Sequence, residues 1–142
     1  MDPGVTGLQA AELRISLMRV ARRLRAEKSV QELTDGQFSV LALLDRNGPL
    51  TPRVLAEHER VQPPSMTRTL AGLLARGLID RAGDPTDRRQ VIVGLTESGT
   101  RAVEETRQRR DAWLDRRLID LEPKERAVLA EASEILRRIA DS

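Results

Sequence analysis

Three arginines and a group of small hydroxyl side chains are the residues of this sequence that are best suited to bind a ligand. Arg68 follows Ser65 at helical spacing, and Arg88 and Arg89 end a short charged run. A guanidinium group donates paired hydrogen bonds to a guanine edge or a phosphate, and hydroxyl groups bond to bases or phosphates. The predicted chemistry is therefore non-covalent recognition of nucleic acid. The residues predicted to contact DNA are Pro64, Ser65, Thr67, Arg68, Thr69, Asp87, Arg88 and Arg89.

The rest of the composition lacks most of the residues and motifs that enzymes use for catalysis. The 142 residues include no cysteine and one histidine, His58, which excludes disulfides, thiolate zinc sites and metal sites built from several histidines. The sequence also has no nucleophile elbow and no phosphate-binding glycine loop. We therefore expect no enzymatic activity, no cofactor and no metal. A lone histidine such as His58 is interpreted as a surface or capping residue.

The length fits one folded domain, or one domain plus an oligomerisation element. Hydrophobic residues make up 39% and charged residues 32% of the chain. A net charge of +2 with a pI of about 9.9 is compatible with a nucleic-acid partner. No apolar run approaches the roughly 20 residues of a membrane span, and the first residues do not form a signal peptide. The expectation is a cytoplasmic protein with no membrane partner.

A helix-turn-helix over about 51–76 is predicted to position Arg68. Thr51 and Pro52 are a typical N-cap and first residue of a short helix. A turn over 59–62 follows, and Pro63 then opens a second helix, because the first helical turn tolerates proline. This second helix ends before Gly77, a common residue at helix C-termini.

The second helix has two predicted faces. At 100° per residue, the apolar side chains that fall on one side are Met66, Leu70, Leu73 and Leu74. The outward side presents small, polar or basic groups: Ser65, Arg68 and Gly72, flanked by Pro64 and Thr69. Such a face suits a helix that lies deep in a major groove, with Gly72 allowing close backbone approach. Taken alone, the same pattern also fits an ordinary amphipathic surface helix.

A β-hairpin is predicted next, with strands at 78–81 and 90–95. Arg88 and Arg89 lie in its loop, where they are placed to enter a minor groove. Asp87 is predicted to orient an arginine through a charge-assisted pair, and Asp84 with Pro85 shapes the turn. Charged hairpin loops are also common on solvated surfaces. The combination of helix-turn-helix and hairpin in this order predicts a winged helix-turn-helix whose wing is residues 78–95.

Helices are predicted on both sides of this segment. An apolar stripe recurs at helical spacing over about 8–28 and again in the last helix, which starts near 122–123. The stripe residues are Leu13, Leu17, Val20 and Leu24 in the first case and Val128, Leu129, Ala132, Ile135, Leu136 and Ile139 in the second. Each stripe needs a partner, from this chain or from another copy. Thr34 and Gln37 form a capping box for a central helix, and Thr96 begins a long helix that is very polar over 104–111.

The segments Val61–Leu70, Gly77–Ile79, Asp84–Arg89 and Val93–Thr96 together resemble the MarR family of bacterial transcription regulators. The helix sequence is most similar to the SlyA branch of that family. The most specific parts are the Asp-x-Arg of the wing and the Leu-Thr that opens the next helix. The resemblance extends over essentially the whole chain and implies one domain. Its predicted parts are a DNA-binding lobe at 34–96 and dimerisation helices at 6–30 and 97–141.

The resemblance implies a mainly α fold with a small β-hairpin, and a homodimer that reads a pseudo-palindromic operator. It assigns base or backbone contacts to Pro64, Ser65 and Arg68, and a minor-groove contact to Arg89 with Asp87 as its partner. It also implies repression that a small phenolic or aromatic ligand relieves from a pocket between dimerisation helices and DNA-binding lobe. Trp113 is expected at the dimer interface and less so in that pocket. The alternatives left open are a protein-interaction module and a DNA-binding protein without ligand control.

Overall fold

The order of secondary-structure elements matches the predicted winged helix-turn-helix. The computed structural model describes residues 9–27 and 31–142. The helices are α1 (Ala10–Ala26), α2 (Asp35–Asn47), α3 (Pro52–Glu59), α4 (Pro63–Ala75), α5 (Glu97–Ile119) and α6 (Pro123–Ala140), and the strands are β1 (Ile79–Gly83) and β2 (Val91–Leu95). The fold is mainly α with one hairpin, as predicted. The ends predicted for the N-terminal helical region, at 6–8 and 28–30, lie outside the described residues.

Side-chain caps begin several of these helices where the sequence placed them. Thr34 and Gln37 form the predicted capping box: the Gln37 amide donates to the Thr34 hydroxyl, and the Thr34 amide donates to Gln37 Oε1, both at 3.1 Å. The hydroxyl of Thr51 accepts from the Val54 amide at 3.3 Å, and that of Thr96 accepts from the Gly99 amide at 3.1 Å. Each cap satisfies an amide that has no partner inside its helix.

The hairpin is antiparallel, with Ile79 opposite Leu95 and Gly83 opposite Val91. The first strand starts one residue later and continues two residues further than predicted, and the second strand starts one residue later, so the loop between the strands is shorter than expected. Leu50 adds an isolated bridge to β2, exchanging backbone hydrogen bonds with Val93 at 3.0 and 2.8 Å. This bridge ties the wing to the segment just before α3.

The core lies between α2, α3, α4, α5 and the hairpin. It consists almost entirely of aliphatic side chains, with Leu41, Leu55, Leu73 and Val93 fully buried. The prediction that Leu74 packs inward is wrong, because 37% of Leu74 stays exposed. Met66, Leu70 and Leu73 alone fill the contact between α4 and the core. Leu74 lies beyond the edge of that contact because each residue advances the helix by 100°.

The stretch over 104–111 of α5 is only partly exposed, although its polarity predicts a helix segment that lies in solvent. Thr106 is buried, and its hydroxyl donates to the Ala102 carbonyl at 2.8 Å. Arg107 reaches across to α2 and pairs with Asp45 at 2.8 Å. One face of this stretch therefore packs against the lobe while the other remains in solvent.

Neither α1 nor α6 contains a buried residue in the single chain. Large apolar side chains stay exposed along both helices, including Met18 at 52%, Val128 at 57% and Ile139 at 58%. Trp113 differs, because 94% of it is already covered within one chain, with the Arg117 guanidinium 3.8 Å from the ring centre. A dimer interface is therefore not required to bury Trp113. Among the described residues, none of the helices is long and apolar enough to cross a membrane.

Candidate nucleic-acid interface

The turn between α3 and α4 sets the angle of the helix that carries Arg68. Arg60 ends α3 in the left-handed conformation, with φ of 54°. The Val61 amide then donates to the Ala56 carbonyl at 3.1 Å. This bond satisfies one of the last carbonyls of α3. His58 lies exposed in the last turn of α3, as predicted.

The first turn of α4 has few free amides. Pro63 and Pro64 have no N–H group, and the Ser65 amide donates to the Gln62 carbonyl at 3.0 Å. The hydroxyl of Thr67 donates to the Pro63 carbonyl at 3.0 Å, and that of Thr69 donates to the Ser65 carbonyl at 3.1 Å. Both threonine protons are used inside the helix, so these oxygens are left as acceptors. Base amino groups fit such oxygens, whereas phosphate oxygens, which only accept, do not.

Arg68 is exposed on the outward face of α4, next to the exposed Pro64. Within the described parts of the chain, its guanidinium forms neither an ion pair nor a hydrogen bond. Ser65 lies at the edge of this face and is half-buried. These positions agree with the predicted outward side, while their contact with DNA remains a prediction.

Gly72 does not belong to this outward face, contrary to prediction. A β-carbon at Gly72 would lie 3.0 Å from Nε2 of Gln37. The glycine therefore faces the first turn of α2. The close approach that it allows is between two helices of the same chain.

The loop of the wing, residues 84–90, is held by its own acidic side chains. Oδ1 of Asp84 accepts from the Thr86 amide at 2.9 Å and from the Thr86 hydroxyl at 2.8 Å. These hydrogen bonds hold the pKa of Asp84 below its ordinary value of 3.8, because they stabilise the ionised carboxylate. The Asp84 amide donates to the Gln90 carbonyl at 3.0 Å and closes the loop.

Asp87 acts on the backbone of the wing. Its Oδ1 accepts from the Arg89 amide at 3.0 Å. No ion pair joins Asp87 to the guanidinium of Arg88 or Arg89 within the described residues. The predicted charge-assisted pair is therefore absent from this structure. The carboxylate instead fixes the turn from which both exposed arginines project.

A close backbone contact joins the end of α4, the base of the wing and the start of α5. Gly77 has φ of 71°, a conformation that favours glycine. Its carbonyl accepts from the Thr96 hydroxyl at 2.7 Å, while the Thr96 amide donates to the Leu78 carbonyl at 3.2 Å. A β-carbon at Gly99 would lie only 2.1 Å from the Leu78 carbonyl oxygen. Helix and wing are therefore anchored to the same point of α5.

A groove of about 470 Å³ separates α1 from the lobe. Its walls include Arg25 of α1, Phe38 and Ser39 of α2, Glu59 of α3 and Arg110 of α5. The Arg110 guanidinium lies 4.3 Å from the ring centre of Phe38, and its Nε is buried without a hydrogen-bond partner. Burial lowers the pKa of Arg110, a shift that the nearby Asp35 carboxylate opposes. No cluster of three or more metal-ligating side chains occurs within residues 9–27 and 31–142.

Comparison with known proteins identifies the group to which this arrangement belongs. Residues 33–91 match the MarR family model. An HTH-type transcriptional regulator from Mycobacterium tuberculosis is 40% identical over 132 residues, which cover 93% of this chain and 92% of the relative. The chain belongs to the MarR family of transcriptional regulators. Its curated relatives are HTH-type transcriptional regulators.

Solved structures of transcriptional regulators share this fold over nearly the whole chain. A transcriptional regulator protein from Pseudomonas aeruginosa is 34% identical with a TM-score of 0.82, and the match covers 94% of each chain. Wild-type MarR from E. coli in its apo form is 26% identical with a TM-score of 0.75, covering 91% of this chain and 97% of MarR. These matches confirm the winged helix-turn-helix.

Sequence reasoning missed several residues that position the interface of this MarR-family regulator. Gln37 was recognised only as a cap, although it also contacts Arg76 and faces Gly72. Gly99 was not singled out at all. A glycine in the first turn of a helix, where other residues are better helix formers, is a signal of close backbone approach that was available in the sequence.

Proposed function

We propose that this MarR-family regulator is a homodimeric repressor that binds a pseudo-palindromic operator in double-stranded DNA. The observation that carries the proposal is the pair of exposed basic elements on one lobe. Arg68 on α4 and Arg88 and Arg89 on the wing are exposed cations whose side chains have no partner among the described residues. Such cations favour a polyanionic ligand because binding releases the counterions of that ligand.

In this proposal α4 lies in the major groove and the wing lies over the backbone or the adjacent minor groove. Arg68 would read a guanine edge or hold a phosphate, with Pro64, Ser65, Thr67 and Thr69 as neighbouring contacts. Arg88 and Arg89 would enter the minor groove from a loop that Asp84 and Asp87 keep in shape. Arginine side chains enter the minor groove most favourably where that groove is narrow, because its negative potential is strongest there.

The exposed apolar faces of α1 and α6 support the homodimer. Continuous apolar surface of this extent is uncommon on monomeric soluble proteins and marks an interaction surface. Val128 and Ile139, which lie toward opposite ends of the α6 face, are both more than half exposed in the single chain. A two-fold dimer would place the α4 helices about 34 Å apart, one turn of B-DNA. The lobe at 34–96 then reads a half-site while the flanking helices set the spacing.

The groove around Arg110 is where we propose that a small effector binds. A half-buried guanidinium whose buried Nε has no hydrogen-bond partner, beside an aromatic ring, suits an aromatic carboxylate or phenolate. Because its walls come from α1, α5 and the lobe, an occupant would change the angle between them and release DNA. Calorimetric titration with salicylate and with 4-hydroxybenzoate tests this part. Saturable binding that Arg110→Ala removes would support it, and equal binding by the variant would contradict it.

Titration of DNA binding at two salt concentrations tests the proposed function as a whole. The probes are random-sequence duplex and duplex from the promoter regions of neighbouring genes, at about 50 and 200 mM salt. Tight binding to one promoter with a steep salt dependence is expected. Complete lack of salt-dependent binding would overturn the proposal and favour a protein-interaction module. If neither salicylate nor 4-hydroxybenzoate releases the protein from its operator, the result would favour a DNA-binding protein without ligand control.

A further inference from the structure

An exposed arginine, Arg76, follows the last residue of α4 and donates two hydrogen bonds to other parts of the protein. Nη2 of Arg76 donates to the Gln31 carbonyl, and Nη1 donates to Oε1 of Gln37 at 3.5 Å. Both acceptors are uncharged and lie in the segment that begins α2. We call this set of contacts the Arg76 latch. It joins the end of the helix proposed to read DNA to the entrance of the lobe.

Gln37 connects the latch to the start of α2. Its Oε1 accepts from the Thr34 amide as well as from Arg76, so one oxygen serves both the cap and the latch. Its Nε2 faces Gly72, one turn before Arg76 on α4, at 3.0 Å from the position a β-carbon would take. A β-carbon at 72 would require the end of the Gln37 side chain to move by a few tenths of an ångström. The end of α4 and the first turn of α2 are therefore in direct contact at two successive turns.

The latch restrains a motion that the apolar core alone leaves free. Met66, Leu70 and Leu73 fix which face of α4 turns inward, but apolar contacts are non-directional and resist tilt about the contact only weakly. Hydrogen bonds from Arg76 are directional, and they act at the end of the helix, where a small tilt moves the opposite end most. A change of about 1 Å in the position of a recognition group is enough to weaken the contacts it makes.

We infer that Arg76 is a positioning residue for operator reading: it sets the tilt of α4 through Gln37 and the Gln31 carbonyl and does not itself bind DNA. The inference rests on the proposed function. It separates two classes of arginine on one helix. Arg68 has no partner among the described residues and is available to DNA, whereas Arg76 donates two hydrogen bonds within the protein.

The test compares operator and random DNA for Arg76→Ala, with Lys124→Ala as a control that removes one positive charge from exposed α6. The operator probe is a duplex of roughly 30 base pairs, long enough for two half-sites, enriched from a random library by the wild-type protein. Arg76→Ala should weaken operator binding about three- to tenfold, the usual range for a residue that acts indirectly. Its binding to random duplex and its salt dependence should equal those of Lys124→Ala.

A second pair of variants checks that the effect passes through the latch. Gln37→Glu keeps an acceptor for Arg76 and Thr34, and it should bind the operator like the wild type. Gln37→Ala should weaken operator binding, and its combination with Arg76→Ala should cost little more than either change alone, because both changes remove one interaction. Amide hydrogen exchange gives a structural test of the same idea. In Arg76→Ala, the amides in the last turn of α4 should exchange faster than in the wild type, while those in the first turn should be unchanged.

Three outcomes would overturn the inference. Equal losses on operator and random DNA with a shallower salt dependence would make Arg76 a phosphate contact. Operator binding equal to the wild type would leave the latch without a role in recognition. A loss of operator binding that only follows a large fall in melting temperature would make the latch a stability element. If the wild type binds no DNA, the proposed function fails and this inference fails with it.

Discussion

Gly99 and Leu78 are in contact through their backbones at the junction of α5 and the wing. A β-carbon at Gly99 would be 2.1 Å from the Leu78 carbonyl oxygen and 2.9 Å from Cδ2 of Leu95. The Leu78 carbonyl also accepts from the Thr96 amide. Any side chain at position 99 would therefore force α5 and the base of the wing apart.

Gly99→Ala should lower the free energy of unfolding by about 1–3 kcal/mol, the usual cost of overpacking. Thermal or urea unfolding measures the change. Gly36→Ala is the matched control, because Gly36 also lies in the first turn of a helix but has no atom within 4 Å of a built β-carbon. Alanine is the better helix former, so Gly36→Ala should be neutral or stabilising. Equal effects of the two variants would contradict the close contact.

Replacement of the wing arginines should weaken binding to all DNA sequences. Arg88→Ala or Arg89→Ala removes a phosphate or minor-groove contact, so affinity should fall on operator and random duplex alike. The slope of log affinity against log salt should fall by about 1 for each lost phosphate contact. Fluorescence anisotropy at several salt concentrations measures both values. Lys124→Ala removes the same charge from α6 and should leave the slope unchanged, and a matching drop in that control would point to a general charge effect.

Replacement of Arg68 should affect discrimination between sequences. If Arg68 reads a guanine, Arg68→Ala should cost about 1–3 kcal/mol on the operator and relax specificity at one base pair. Arg68→Lys is the informative companion, because lysine keeps the charge but cannot form the bidentate pair. We expect Arg68→Lys to retain affinity for random duplex and to lose operator preference. Full operator preference in the lysine variant would show that Arg68 holds only a phosphate.

The apolar face of α6 should be needed for dimerisation. Ile139→Glu places a charge on a side chain that is 58% exposed in the single chain, so it should leave the fold intact and shift the protein toward monomer. Ala130→Glu introduces the same group on the opposite face of α6 and should leave the dimer unchanged. Light scattering at micromolar concentration gives the mass. A monomeric wild type would contradict the proposed dimer.

The carboxyl group of Asp84 should titrate below 3.8, its ordinary pKa. Its folded pKa is depressed because Thr86 donates two hydrogen bonds to the carboxylate. The sign follows from linkage: these bonds support the wing loop above the unfolded pKa, and the support is lost as pH falls through the folded value. An NMR titration of the side-chain carboxyl carbon measures the midpoint. Thr86→Val should raise it, and a midpoint at the ordinary value in the wild type would contradict these hydrogen bonds.

The sequence was sufficient where structure depends on near neighbours along the chain. Thr34, Thr51 and Thr96 were recognised as caps because each bonds to an amide three residues away. The prolines at 52 and 63 fixed where α3 and α4 begin for the same local reason. Helix order and the hairpin followed, and with them the winged helix-turn-helix. Outward placement of Arg68 also followed from the period of the helix.

The tertiary structure decided contacts between residues that are distant in sequence. Periodicity placed Gly72 toward DNA, but the position of α2 shows that it faces Gln37, 35 residues earlier in the chain. From the pattern of charges, Asp87 was predicted to pair with an arginine side chain. The loop conformation instead brings the backbone amide of Arg89 to the carboxylate of Asp87. Trp113 was assigned to an interface between chains because nothing local revealed that α1 and Arg117 cover it.

By itself, the sequence determined which segments become helices and strands and which arginines can reach solvent. Short-range hydrogen bonds and helical period fix these features within a few residues, so no other part of the chain has to be known. Only the tertiary structure decided that Arg76 is engaged while Arg68 is free, and that α4, the wing and α5 meet at Gly77, Leu78 and Gly99. Those relations depend on the angles and distances at which whole helices and strands pack. The volumes of all the core side chains together set these angles and distances, so no single segment of the sequence determines them.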